Sequence, residues 1–168
     1  MAKKKKKKRR IRPLALCVFF RGDKIFVAQG YDSHARGTFY RPIGGRIEFG
    51  ERGRAAVVRE FREEIKAEVT DLVYLGALEN IFEYEGQPGH EIALIYKGRF
   101  ADERFDDDAF TVRGLHKGEI LYEAAWMPQE LFRGASAPPL YPAGLLKLLE
   151  EADSRKAAAT SLFSNLNE

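Results

Sequence analysis

From Gly44 to Ala67 the chain reads GGRIEFGERGRAAVVREFREEIKA, and this stretch restricts the fold more than any other part of the sequence. Val57, Val58, Phe61 and Ile65 recur at helical spacing, which predicts a helix from about Arg52 to Lys66. At about 100° per residue, Glu60, Glu63 and Glu64 share an arc of roughly a third of a turn beside that apolar face. Crowded carboxylates repel one another unless a cation neutralises them. Hard divalent ions suit such oxygen-rich sites, and Mg²⁺ in particular binds through a few carboxylates together with substrate phosphates. The residues alone therefore point to metal-dependent phosphate chemistry. The competing reading is a charged amphipathic surface helix with Arg59 and Glu63 as an ordinary i, i+4 pair. It leaves the glycine pair and the spacing of Glu51 without a role.

The stretch resembles the Nudix box, a glycine, five residues, a glutamate, seven residues and then R-E-U-x-E-E-x-G-U, with U a bulky aliphatic. Gly45, Glu51, Arg59, Glu60, Glu63 and Glu64 match, with Phe61 at the first U position. Lys66 stands where the pattern has glycine, and Ala67 replaces the last U. Glycine there lets a helix end in the left-handed conformation, so Lys66 implies a different exit or a strained one. The resemblance implies an α+β fold, an α/β/α sandwich with a mixed β-sheet between helices. It also implies a hydrolase that cleaves a pyrophosphate bond in a nucleoside diphosphate linked to another moiety, using Mg²⁺ or alternatively Mn²⁺. By position, the resemblance assigns Glu60 and Glu64 as principal metal ligands, with Glu63 and the Gly45 carbonyl as further ones. Glu63 and Glu64 are also carried over as catalytic. Arg59 would orient the glutamates, and Glu51 would tether the loop to the helix.

Relatives often add an acid from outside the box. Glu119, ahead of a strand that includes Trp126, is the first candidate for that general base or ligand, with Glu123 and Glu91 as alternatives. Arg41 precedes the glycine pair and would suit a diphosphate, while Tyr40 or Phe39 would stack on a base. His90 and Glu91 are placed beside the same cleft; His34 and His116 have no metal-ligand spacing. Tyr84 lies 17 residues beyond Ala67, in the window that diadenosine polyphosphate hydrolases use, though Phe82 and Tyr84 also alternate as core residues would. No proline stands at Phe82 or Glu83, where ADP-ribose pyrophosphatases tend to carry one. The substrate order is a nucleoside di- or triphosphate derivative, then a dinucleoside polyphosphate, then a nucleotide sugar. Two rivals are a nucleotide-binding or regulatory protein of the same fold without turnover, and a hydrolase of RNA 5′ ends.

With 168 residues and an apolar fraction of 45%, the chain suits one domain with a proper core. No apolar run approaches the roughly 20 residues that cross a bilayer, the longest being Leu14 to Phe20. Cys17 is the single cysteine, which excludes an intramolecular disulfide and favours a cytoplasmic location. Lys3 to Lys8, Arg9, Arg10 and Arg12 form a basic arm over 1–12, and without those nine charges the +3 chain would be net negative by about 6. Such a run repels itself and is expected to be disordered. It is either a weak contact for polyanions or a solubilising tail. The catalytic domain is expected over 13–153 and a tail over 154–168. The partner implied is a nucleotide-type small molecule; oligomeric state stays open, a homodimer included.

Strands are expected over Leu14–Phe20, Lys24–Gln29, Thr38–Ile43, Leu72–Tyr84, Glu91–Phe100 and Ile120–Met127. Gly30–Gly37 reads as a loop and Ala101–Gly118 as irregular. Glu85–Gly89 reads as a turn, Pro128–Phe132 as a helical turn and Ala143–Ala152 as a second helix.

Overall fold

Strand β1 (Arg12–Val18) buries both of its faces, with Leu14, Leu16 and Val18 on one side and Ala15 and Cys17 on the other. A strand apolar on both sides belongs in the middle of a layered fold. The computed structural model describes residues 9–152 and 154. The lysine run Lys3–Lys8 and the tail expected beyond residue 154 lie outside the described residues.

The other strands are β2 (Phe20–Arg21), β3 (Lys24–Asp32), β4 (Gly37–Arg41), β5 (Ile43–Arg46), β6 (Val69–Tyr84), β7 (Gln87–Phe100), β8 (Thr111–His116) and β9 (Glu119–Pro128). Helix α1 spans Gly53–Ile65, and α2 covers residues 145–152. The α+β architecture is as expected, and its strands divide between two sheets. One is mixed, in the order β5-β1-β7-β6, with β1 parallel to β7 and antiparallel to β5. The other runs β2-β3-β9-β8 with β4 also on β3, all antiparallel. Helix α1 packs Val57, Phe61 and Ile65 into the core that holds Ala15 and Cys17, while Leu145 and Leu149 of α2 pack with Leu14, Leu16 and Val18. The helices therefore cover opposite faces of β1. The rings of Phe19, Phe100 and Phe105 stack with centroids 3.9 and 3.7 Å apart, and Phe26 of β3 meets Phe100 and Phe105 edge-on at 5.3 and 5.5 Å, joining the two sheets; Trp126 Nε1 donates to the Phe105 carbonyl at 2.9 Å. Cys17 is fully buried, and burial pushes its thiol up. No described helix is long and apolar enough to cross a membrane.

Several local expectations need correction. Strand β8 lies within the stretch read as irregular; only Gly114 of its six residues is buried, so no apolar alternation reveals it. The β6–β7 turn is Glu85–Gly86 alone, both at positive φ (51° and 67°), the geometry of a tight hairpin. Gln87, Pro88 and Gly89 are already in the ladder opposite Tyr84, Glu83 and Phe82. Pro88 is tolerated because β1 joins β7 only from Glu91 onward. Strand β3 likewise continues past Gln29 to Asp32, pairing with β4.

Helix α1 ends at Lys66 in the left-handed conformation, φ 55° and ψ 36°, and the N–H groups of Lys66 and Ala67 both return to the Phe61 carbonyl. The exit that a glycine would favour is thus kept without the glycine.

Candidate active site

The glycine pair lies in β5 because each residue faces something a side chain would displace. A Cβ on Gly44 would stand 2.1 Å from the Ala15 carbonyl oxygen, and Gly44 has φ +144°. A Cβ on Gly45 would stand 2.3 Å from the Glu60 carboxyl carbon. Gly45 is therefore the cradle of Glu60, about two helix turns into α1.

Arg59 organises this corner. Its Nε and Nη2 donate to the two oxygens of Glu51 at 2.9 and 3.0 Å, Nη1 donates to Glu60 Oε1 at 2.8 Å, and Nη2 also donates to the Arg46 carbonyl at 2.8 Å. Glu51 additionally accepts the Glu48 N–H at 3.1 Å. The hydrogen bonds from Arg59, and then the one from Glu48, hold the Glu51 carboxyl below the usual carboxylate range. The hydrogen bonds to Glu51 and to Glu60 in turn keep the Arg59 guanidinium protonated. Loop and helix are thus clamped by a forked, charge-assisted contact.

Glu64 lies one turn beyond Glu60, half-buried, and its Oε2 accepts a hydrogen bond from the Tyr122 hydroxyl at 2.6 Å. Burial pushes the Glu64 carboxyl up and the Glu60 charge adds to this, while the Tyr122 bond, Arg41 and His116 oppose it. Tyr122 is pushed up by burial and by Glu64, so it remains a donor. Glu63 is 61% exposed and turns to Arg59 Nη1 at 3.3 Å.

The cleft at Glu64 has a volume of about 600 Å³ and is lined by Arg41, Phe39, Tyr84, Gly44, Tyr122 and Glu123, among others. Of the substrate-side residues read from the sequence, Arg41, Phe39 and Tyr84 line it. Tyr40 does not: alternation along β4 sends Phe39 to the cleft and Tyr40 into the core against Phe132, 5.3 Å between centroids. Glu119 sits at the far end of the β8–β9 hairpin opposite His116 and does not line the cleft, whereas Glu123 does. His90 and Glu91 are successive residues of one strand, so they face opposite sides. His90 pairs with Glu79 at 2.8 Å, and Glu91 is buried beside Arg12.

Sequence reasoning missed Tyr122. Its ring lies flat over Gly114, the residue opposite it in β8, where an added Cβ would stand 2.1 Å from the ring. Phe39 covers Gly30 and Phe82 covers Gly89 in the same way, each across a paired strand. A glycine opposite an aromatic is the signal, and it becomes readable only once the register is known.

Among the described residues no three Asp, Glu, His or Cys side chains gather into a metal cage. Glu60 and Glu64 offer an oxygen-only donor set, with Glu60 seated on the Gly45 backbone. Such a pair fits a hard cation that completes its shell with water and phosphate, rather than an ion needing a closed protein cage.

A family profile described as the NUDIX domain matches residues 10–149. No curated protein matches the chain. Among solved structures, a NUDIX hydrolase from Nitrosomonas europaea superposes with a TM-score of 0.60 at 19% identity, covering 88% of this chain and 91% of that one. A MutT NUDIX hydrolase from Burkholderia pseudomallei gives 0.57 at 17% identity, with 82% and 95% covered. A NUDIX-family hydrolase from Clostridium perfringens gives 0.55 at 17%, with 85% and 96% covered. At these identities the structural likeness establishes the fold.

Proposed function

The chain belongs to the Nudix family, and from that premise we propose that it is a divalent-metal-dependent pyrophosphohydrolase of nucleoside diphosphates linked to another group. Family membership supports a hydrolase of pyrophosphate bonds and a nucleotide-type small molecule as its substrate. The observation that carries the finer reading is the clamp of Glu51, Arg59 and Glu60 on Gly45, with Glu64 one turn away at the wall of a cleft that also holds Arg41.

Glu60 and Glu64, with the Gly45 carbonyl, would hold Mg²⁺ or Mn²⁺. When bound, the ion neutralises the diphosphate and activates water. Arg59 fixes the Glu60 carboxylate so that it need not reorganise during the reaction. Tyr122 orients Glu64 by donating to Oε2. Arg41 brings positive charge to the same cleft, where a diphosphate gains from a planar cationic fork. Of the acids outside α1, Glu123 is the better placed to take a proton from the attacking water, because it lines the cleft and Glu119 does not.

The test is phosphate and pyrophosphate release from nucleoside triphosphates, dinucleoside polyphosphates, nucleotide sugars and 5′-triphosphate RNA, each with Mg²⁺, Mn²⁺ or EDTA. Metal-dependent release from one class, lost in Glu64→Gln while the fold persists, is the expected result. Tight nucleotide binding with no release from any class would instead make this a binding protein.

A further inference from the structure

Beside the diphosphate cleft is a second cavity of about 330 Å³, which adjoins the first at Phe39, Arg41 and Tyr84, residues that line both. Its walls are aromatic. Phe39 stands edge-on to Tyr84 and to Tyr141, each with centroids 5.8 Å apart, and Phe82 lies 6.4 Å from Tyr141. A slot of this kind takes a flat ring.

The floor of this slot is polar. Arg12, Glu91 and Asn80 form one row across β1, β7 and β6, with Glu91 opposite Arg12 on one side and opposite Asn80 on the other. Farther along the same strand faces stand Leu14, Leu16, Ala93, Ile95 and Leu78, the core against α2. The apolar pattern therefore stops at this row. Glu91 is 7% exposed and Asn80 4%, although a buried ion pair or amide generally stabilises a fold no better than apolar packing.

Internal contacts account for half of these groups. Arg12 Nη2 donates to Glu91 Oε1 at 2.5 Å, and the Ala143 N–H donates to Asn80 Oδ1 at 3.3 Å. Among the described residues, nothing bonds Glu91 Oε2 or the Asn80 amide nitrogen. Among the described residues no sealed side-chain atom lacks a partner, so both atoms are accessible, and both residues line the cavity. The third buried polar residue, Asp32, differs: its Oδ1 accepts the His34 and Ala35 N–H groups and its Oδ2 accepts that of Glu85. Asp32 is committed to a turn, while Glu91 and Asn80 each keep one group for something else.

We infer that Glu91 and Asn80 are specificity-determining residues that read the edge of a guanine-type base stacked in this aromatic slot. The inference rests on the proposed nucleotide substrate. The Glu91 carboxylate oxygens accept, one already from Arg12, and they suit the adjacent ring N–H and exocyclic amine of a 2-amino-6-oxopurine. The Asn80 amide N–H beside it suits the O6 carbonyl on the same edge. Uracil has only one donor between two acceptors. Adenine and cytosine each present a single exocyclic amine, so the carboxylate meets fewer donors from any of the three.

The test is calorimetric binding of GMP, AMP, CMP and UMP to the full chain in EDTA, which needs no turnover. GMP is expected to bind about tenfold or more tightly than the other three, the discrimination typical of one good two-bond base contact. Glu91→Gln should lose most of that preference. Equal affinities, a preference for another base, or no binding of any of the four overturns the inference on the unmodified protein alone. Metal-dependent hydrolysis with the same kcat/KM for all four nucleoside triphosphates would also overturn it and leave the hydrolase reading standing. GMP-selective binding without turnover would do the reverse.

Discussion

The hydroxyl of Tyr122 lies 2.6 Å from Oε2 of Glu64, and this contact ties the last sheet strand to the acidic helix. It gives a half-buried carboxylate a neutral donor that burial keeps protonated. Replacing Tyr122 with Phe removes the donor while leaving a ring to cover Gly114. Second-layer contacts of this kind typically change metal affinity or activity by about 10- to 100-fold. Tyr122→Phe should lower kcat/KM and raise the half-saturating Mg²⁺ concentration within that range, with a stability loss of only about 1 kcal/mol. Unchanged kinetics would show that the hydroxyl does not position Glu64.

The two glycines of β5 should fail in different ways. In Gly45→Ala the new Cβ meets the Glu60 carboxyl, which is the far end of a side chain and can swing aside. The protein should fold cooperatively and lose Mg²⁺-dependent activity by more than about tenfold as Glu60 leaves Arg59. In Gly44→Ala the Cβ meets the Ala15 backbone, which cannot move without opening the β1–β5 ladder. That variant should lose about 3 kcal/mol or more in urea unfolding.

Glu51 should carry a pH signature. Its folded carboxyl is held below its ordinary value by Arg59 and by the Glu48 N–H. The resulting stability is fully present above the unfolded value of about 4.3 and is lost as pH falls through the lowered folded value. Wild type should therefore melt higher than Glu51→Gln at pH 6 to 7, and the two melting curves should converge below about pH 4. A constant gap across that range would mean that the tether works through shape rather than charge.

Lys66 holds a left-handed backbone at the end of α1, φ 55°, which costs a non-glycine residue roughly 1 to 2 kcal/mol. Lys66→Gly relieves this strain but gives up the Nζ contact to the Glu63 carbonyl at 2.9 Å and adds entropy to the unfolded chain. The net expectation is a gain of about 0.5 to 1 kcal/mol, read from the urea midpoint at unchanged slope. A loss instead would mean that the Nζ contact outweighs the strain.

Local spacing made α1 and its clamp legible. Phe61 and Ile65 mark the buried face, Glu51 and Arg59 lie eight residues apart with only a loop and two helix turns between them, and Glu60 and Glu64 are one turn apart. None of these relations depends on where distant strands lie. Strand β8 was hidden because TVRGLH buries only its glycine. The sequence leaves Phe39 and Tyr40 as alternatives because choosing between them requires knowing which face of β4 meets the cleft, and one residue of slip reverses the answer.

By itself the sequence determined an acidic helix beginning after a glycine-bearing loop, and its family. Tertiary structure alone decided that Tyr122 reaches Glu64, that the rings of Phe39, Phe82 and Tyr122 cover the glycines at positions 30, 89 and 114, and that Arg12, Asn80 and Glu91 form one row under the second cavity. The physical reason is range. Helical neighbours are set by a fixed rise and turn along one segment, whereas cross-strand neighbours are set by register between segments as distant in sequence as Lys24 and Pro128, which only the packed sheets define.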